Sequence, residues 1–243
     1  MISALAIGRE GSKGFRKKNM AEVLGRPLCW YPMKAAKESE YVHSAYVSTD
    51  FDEIISVAKD LKVNIIERDP ELATNDASGW DAFADGYEKI RGYKEEEIEA
   101  LVLLLCNSPT MTAAMIDKRI QTLLENPSLD SVVSVSKYNM HSPVRARKIE
   151  NEELNLFFSS DLIEGASCHR DSQANTFFAD GLFIIRPRCF DIDNGDMELP
   201  LTGNKVYPLR NEAGLDIDFD WEVPQAEYWL RKHGFSEKET PYN

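Results

Sequence analysis

Six short runs rich in β-branched residues and leucine, at residues 3–7, 44–48, 64–67, 100–105, 131–136 and 181–186, alternate with stretches of helical periodicity. Strand-length apolar runs separated by helices predict a parallel sheet covered on both faces, an α/β, Rossmann-like, mostly parallel fold. The segments between the runs carry helix-entry signals. Asp50-Phe51-Asp52-Glu53 has a capping-box pattern ahead of Ile54, Ile55, Ala58 and Leu61. Ser78 precedes an apolar face of Trp80, Phe83, Ala84 and Tyr87, and Thr112 precedes Ile116, Ile120, Leu123 and Leu124. A helix is expected from Pro27 onward, and a last one after Asp220, with Asp220 as its N-cap and Val223, Ala226 and Leu230 on its apolar side. The 243 residues suit one domain, 1–243, without an interdomain linker.

The stretch from Pro143 to Phe158 breaks the rhythm, within a hairpin extension expected at 139–175. Val144 to Ile149, a Glu150-Asn151-Glu152-Glu153 break, and Leu154 to Phe158 read as a β-hairpin. Such a projection either meets a partner subunit, making a homodimer, or forms a surface flap, and the sequence leaves both readings open.

Composition removes several classes of partner. The chain carries 41 acidic against 28 basic side chains, a formal net charge of -13. That balance argues against nucleic acid or an anionic membrane, both of which need a positive face. Cys29, Cys106, Cys168 and Cys189 are widely spaced with no CxxC pair, the pattern of free thiols in a reducing compartment. The first apolar run lacks a basic leader, and the run at 100–106 is far too short to span a bilayer. A cytoplasmic protein is expected.

Against this acidic background one segment is strongly basic. Ala6-Ile7-Gly8-Arg9-Glu10-Gly11-Ser12-Lys13-Gly14-Phe15-Arg16-Lys17-Lys18-Asn19 follows the first run directly. Glycines let backbone amides crowd around an anion, and the cations neutralise it, so the segment reads as a polyphosphate cradle. Gly8, Gly11 and Gly14 recur every three residues, which fits neither the dinucleotide fingerprint nor the P-loop. At the other end of the chain, Asp216-Ile217-Asp218 is expected on a last strand. Alternation there puts both carboxylates on one face, a pairing that calls for solvation, hydrogen bonds or a hard cation such as Mg²⁺. His43, His141, His169 and His233 lack zincin spacing, and no nucleophile elbow is present.

The basic segment resembles the signature of the CMP-sugar synthetases, the acylneuraminate cytidylyltransferases, written I-P-A-R-x-G-S-K-x-x-x-x-K-N. Arg9, Gly11, Ser12, Lys13, Lys18 and Asn19 match, while Ala6 and Ile7 stand where the family has Ile and Pro, and Gly8 replaces the Ala. Val47-Ser48-Thr49-Asp50 is similar to the family's second strand, and Arg68-Asp69-Pro70-Glu71-Leu72-Ala73 with Asp76 and Ser78 is similar to its R-P-x-E-L-A-x-D-x-A-S. Leu104 to Pro109 falls where the family has L-Q-P-T-S-P, with Leu105, Cys106 and Asn107 as departures. Asp180-Gly181 stands where the family has N-G.

The resemblance implies a nucleotide-diphospho-sugar transferase-like fold and a CTP-dependent transfer to a 2-keto-3-deoxy sugar acid, releasing pyrophosphate. By carry-over, Arg9, Lys13 and Lys18 are the catalytic cations, and Gly8, Arg9, Gly11, Ser12, Lys13, Asn19, Arg68 and Ser78 bind nucleotide. Asp216 and Asp218 hold Mg²⁺. Asn107, Arg145, Arg170, Phe177 and Asp180 are candidates for the sugar side, and Asp180 is explained there by a sugar with an amino or amidino substituent. The rivals are a 3-deoxy-manno-octulosonate-type cytidylyltransferase, a glycosyltransferase using its DxD, and a non-catalytic nucleotide-binding homologue.

Overall fold

A computed structural model describes residues 1–11, 14–93, 96–158, 169 and 174–242. Its centre is a seven-stranded sheet. β1 (Ile2–Ile7) lies between β4 (Ser44–Thr49) and β6 (Ala100–Leu105), with β5 (Asn64–Glu67) outside β4. Beyond β6 come β10 (Phe177–Ile185), β7 (Ser131–Lys137) and β11 (Val206–Asn211). All neighbours pair in parallel except β10, which runs antiparallel to both β6 and β7. A short hairpin, β2 (Glu22–Val23) with β3 (Arg26–Pro27), follows the basic segment.

Burial of both faces explains why β6 carries an unbroken apolar run, and β1 one interrupted only by Ser3, rather than alternating patterns. Ala4 and Ala6 of β1 pack with α1 (Trp30–Glu38), α2 (Asp52–Asp60) and α4 (Ala113–Glu125). Leu5 and Ile7 face the other way, onto Phe83, Tyr87 and Ile90 of α3 (Gly79–Tyr93). A third cluster joins the chain's two ends: Val23, Leu28 and Tyr31 pack with Ile217 and with Ala226, Trp229 and Leu230 of α5 (Val223–Lys232).

The expected strands and helices are present, with local corrections. The first helix begins at Trp30, because Pro27 lies in β3. Phe51 caps α2, while the Thr49 hydroxyl accepts from its amide at 3.1 Å; Asp50 instead accepts from the amide of Glu10. The strand expected at 181–186 starts earlier and runs antiparallel. β11 was not foreseen, since Pro208 interrupts its pattern, and an edge strand tolerates a proline that a central one does not. Residues 216–218 belong to no strand, and Glu222 rather than Asp220 precedes α5. The hairpin is as expected, β8 (Arg147–Glu150) against β9 (Glu153–Leu156).

Candidate active site

The strand order reverses at β1, where one half of the sheet continues to β4 and the other to β6. Open α/β sheets bind ligands outside the carboxyl ends of the strands at such a point. A cleft of about 500 Å³ opens there, lined from the basic segment by Gly8, Arg9, Gly11, Gly14, Lys18 and Asn19. Arg68 and Ser78 line it from one side, and Leu105, Asn107, Asp216, Asp218 and Phe219 from the other.

The basic segment is pinned at both ends. Its first amide, from Gly8, donates to Ser48 O at 3.2 Å. The buried Asn19 closes the loop by donating its side-chain amide to Arg9 O at 3.0 Å, and its carbonyl accepts from Cys29 N at 3.0 Å. Asn19 therefore shapes the loop from behind as well as lining the cleft. Arg9 reaches the Thr74 carbonyl, drawing the loop towards the turn that follows β5. Arg68 is buried against Ser48, donating to its carbonyl at 2.7 Å, and that burial lowers its pKa. Ser78 lies at the entry to α3, its hydroxyl accepting from Trp80 N at 3.1 Å.

The acidic wall is built from the turn after β6. Asn107 O accepts from Ile217 N, and the Asn107 amide donates to Ile217 O, both at 3.0 Å. This clasp holds Ile217 fully buried and turns its two neighbours into the cleft. Ser108 donates to Asp216 at 3.1 Å, and Lys18 sits on Asp218. Asp216 opens onto the cleft but is recessed within it. That recess raises its carboxyl pKa, Lys18 pulls it back down, and Asp218 adds a further push upward. Two like charges side by side, with oxygen ligands only, suit a hard divalent cation that completes its shell from phosphate and water. Among the described residues no group of three or more His, Cys, Asp or Glu that could hold a metal ion gathers.

Ser12, Lys13 and Arg170 lie outside the described residues. Of the sugar-side candidates, Asn107 lines the cleft, but its amide is committed to Ile217. Arg145, in a short 3-10 turn before β8, and Phe177, beneath the Arg210 guanidinium at 5.0 Å, do not line it. Asp180 is a correction. It is 4 % exposed and accepts from Ser136 at 2.8 Å and Ser134 at 3.2 Å. A carboxylate held beneath the sheet surface touches no sugar, which removes the amino-sugar explanation. Sequence reading missed Phe219 on the cleft wall, where no motif marks it, and gave no role to Leu72, which lines the cleft from within the motif at 68–78.

Fold and cleft together define an α/β protein in which cations face a carboxylate pair at the sheet's switch point. The chain belongs to the cytidylyltransferase family, whose match covers residues 4–176. It is 26 % identical over 246 residues to N-acylneuraminate cytidylyltransferase A of Danio rerio, covering 99 % of this chain and 53 % of that protein. It is 28 % identical over 160 residues to an N-acylneuraminate cytidylyltransferase of Escherichia coli, covering 66 % of this chain and 37 % of the relative. The chain thus spans about half the length, or less, of these relatives. A CMP:2-keto-3-deoxy-manno-octonic acid synthetase structure complexed with CTP shares the fold, with a TM-score of 0.68 at 15 % identity over 95 % of this chain and 98 % of that one. A cytidylyltransferase from Leptospira borgpetersenii does so at 0.58 and 12 %, over 99 % and 90 %.

Proposed function

We propose that the chain is a CTP-dependent cytidylyltransferase that activates a nonulosonic, sialic-acid-like sugar acid to its CMP-sugar, releasing pyrophosphate. One observation carries this reading. Arg9, Lys18 and Arg68 meet Asp216 and Asp218 across a single cleft, although roughly 150 to 210 residues separate them in sequence. The names of the relatives matched over nearly the whole chain favour the acylneuraminate substrate over the octulosonate one.

In this reading the triphosphate lies along the basic segment. Arg9 and Lys18, with Lys13, balance the charge that builds on the α-phosphate and passes to the departing pyrophosphate. Gly8 and Gly11 let backbone come close to the phosphates, and Arg68 and Ser78 face the nucleoside. The anomeric hydroxyl of the sugar acid attacks the α-phosphorus from the Asn107 side. Asp216 and Asp218 would hold Mg²⁺, which as a Lewis acid supplies charge stabilisation at the phosphate oxygens. Lys18 then exchanges Asp218 for phosphate as its partner.

The chain is read as one catalytic domain in the cytoplasm, forming a homodimer through the hairpin. Exposed Ile149, Leu154 and Phe157 support the interface, because an isolated two-stranded hairpin has little stability of its own and large apolar side chains on it mark a contact surface. Among the described residues Cys29, Cys106 and Cys189 are free thiols, and no helix is long and apolar enough to cross a membrane.

The test is pyrophosphate release from CTP, with Mg²⁺, against a panel of nonulosonic acids and 3-deoxy-octulosonate. Turnover with a nonulosonic acid is expected. Turnover with the octulosonate alone moves the assignment to the rival type, and tight CTP binding without turnover on any acid overturns the enzymatic reading. Asp216→Asn should keep its fold by circular dichroism and lose about 100-fold or more in kcat. Near-normal turnover would remove the carboxylate pair from the mechanism.

A further inference from the structure

The buried Asp180 is not idle in the fold. A β-bulge interrupts its strand, with the β10–β7 register shifting between Ala179 and Phe183 and Gly181 at φ +70°. Bulges re-aim side chains, and this one accompanies a carboxylate turned into the protein beneath β7. There Ser134 and Ser136, two residues apart and so on one face of the strand, both donate to Asp180. Ser134 in turn accepts from the guanidinium of Arg119 on α4 at 2.8 Å, and Arg119 is itself buried.

The other end of this relay is the chain segment that carries the acidic wall. Gly214 N donates to the Ser136 hydroxyl at 2.7 Å, and the Tyr138 hydroxyl donates to Gly214 O. The backbone passes so close that a Cβ on Gly214 would stand 2.3 Å from Cγ of Asp180. One residue on, Leu215 N donates to the Thr110 hydroxyl at 2.7 Å. Asp216 follows immediately.

We propose that Arg119, Asp180 and Ser136 are positioning residues: a buried polar relay that suspends residues 213–218 from β7 and so sets where Asp216 and Asp218 stand. The consequence for metal binding rests on the reading of those carboxylates as the cation-holding pair. Hydrogen bonds in a low-dielectric interior are strong, and those to Asp180 Oδ2, Ser134 and Ser136 tie the segment to β7, while Arg119 Nε and Asp180 Oδ1 are buried without a hydrogen-bond partner among the described residues. Groups that hold a metal's ligands in place typically alter affinity or activity roughly 10–100-fold when removed.

Asp180→Ala would strand a buried Arg119 charge and risk unfolding, so the sharper probe is Ser136→Ala, with Ser131→Ala as its control. Ser131 is buried on the same strand and also makes a hydroxyl hydrogen bond, to Thr202 O at 2.6 Å, away from the segment. Three readouts are taken on both variants: amide hydrogen exchange over residues 213–218, Mn²⁺ affinity with CTP present, and kcat against KM for CTP. Ser136→Ala is expected to speed exchange across the segment, weaken Mn²⁺ binding and lower kcat roughly 10-fold, with KM for CTP within about twofold. Ser131→Ala should change none of these. Exchange over 213–218 that is the same in both variants overturns the inference. If the unaltered protein neither binds Mn²⁺ nor turns over, the catalytic reading fails while exchange still decides whether Ser136 holds the segment.

Discussion

Gly8 stands where the basic segment leaves β1, and a Cβ there would meet Cβ and Sγ of Cys106 at 2.8 Å and Cδ1 of Ile54 at 2.9 Å. Two departures from the family's patterns, Gly8 in the loop and Cys106 in the stretch after β6, are therefore one packing event. Cys106 takes the space beside the loop, and only a glycine passes it. Burial pushes its thiol up to about 12, so Cys106 serves as a small apolar filler rather than a nucleophile. Gly8→Ala is expected to cost about 1–3 kcal/mol in urea unfolding, the usual range for overpacking a filled site. A loss within error would mean that the loop moves aside freely.

Asp130 does the comparable work for the far half of the sheet. It precedes β7, accepts from the amides of Asn204 and Lys205 ahead of β11, and pairs with Arg188 beyond β10 at 2.8 Å. Burial alone would raise its carboxyl, but the Lys205 amide, Arg188 and the Asn204 amide together outweigh burial and hold it below the ordinary value. A carboxyl lowered on folding contributes stability that is complete above its unfolded value, about 3.9, and is lost as pH falls through the folded one. Asp130→Asn should therefore be less stable than the unaltered protein at neutral pH, with the gap closing below about pH 4. Urea unfolding across pH checks this, and a constant gap down to acid would contradict it. Among the described residues the β8–β9 hairpin shows no such anchor. Its exposed Ile149 and Leu154 lead to a second expectation, that Ile149→Glu with Leu154→Glu converts a dimer to a monomer in sedimentation velocity. A native chain that already sediments as a monomer would make the hairpin a flap.

At the scale of the molecule, the chain's two ends build one site. Val23, Leu28 and Tyr31 near the start share a core with Ile217, Trp229 and Leu230 near the end, and Trp229 donates to Glu212 O at 2.6 Å. That cluster brings Asp218 against Lys18, while the β7 relay holds the same segment from the other side. Leu230→Ala should cost about 2–5 kcal/mol as a cavity in this core and loosen CTP binding with it. Unchanged CTP affinity, by calorimetry, in a destabilised but folded variant would show that the two ends are not coupled to the cleft.

Much of this was legible in the chain itself. Apolar runs of strand length between helical patterns announce a covered, mostly parallel sheet, because that pattern reports burial on two faces. Arg9, Lys18, Asp216 and Asp218 stood out because clustered like charges need a reason. Tertiary structure alone decided the rest. Asp180 reads as a site residue by position, yet a bulge turns it inward, and no local pattern records a register shift. Asn107 reads as a ligand contact, but its amide is spent on Ile217, a partner 110 residues away. β11 was hidden because Pro208 is acceptable only at an edge, and which strand forms the edge is settled by pairing across the whole sheet. Residue chemistry reports what a side chain can do, whereas long-range packing decides which partner reaches it first.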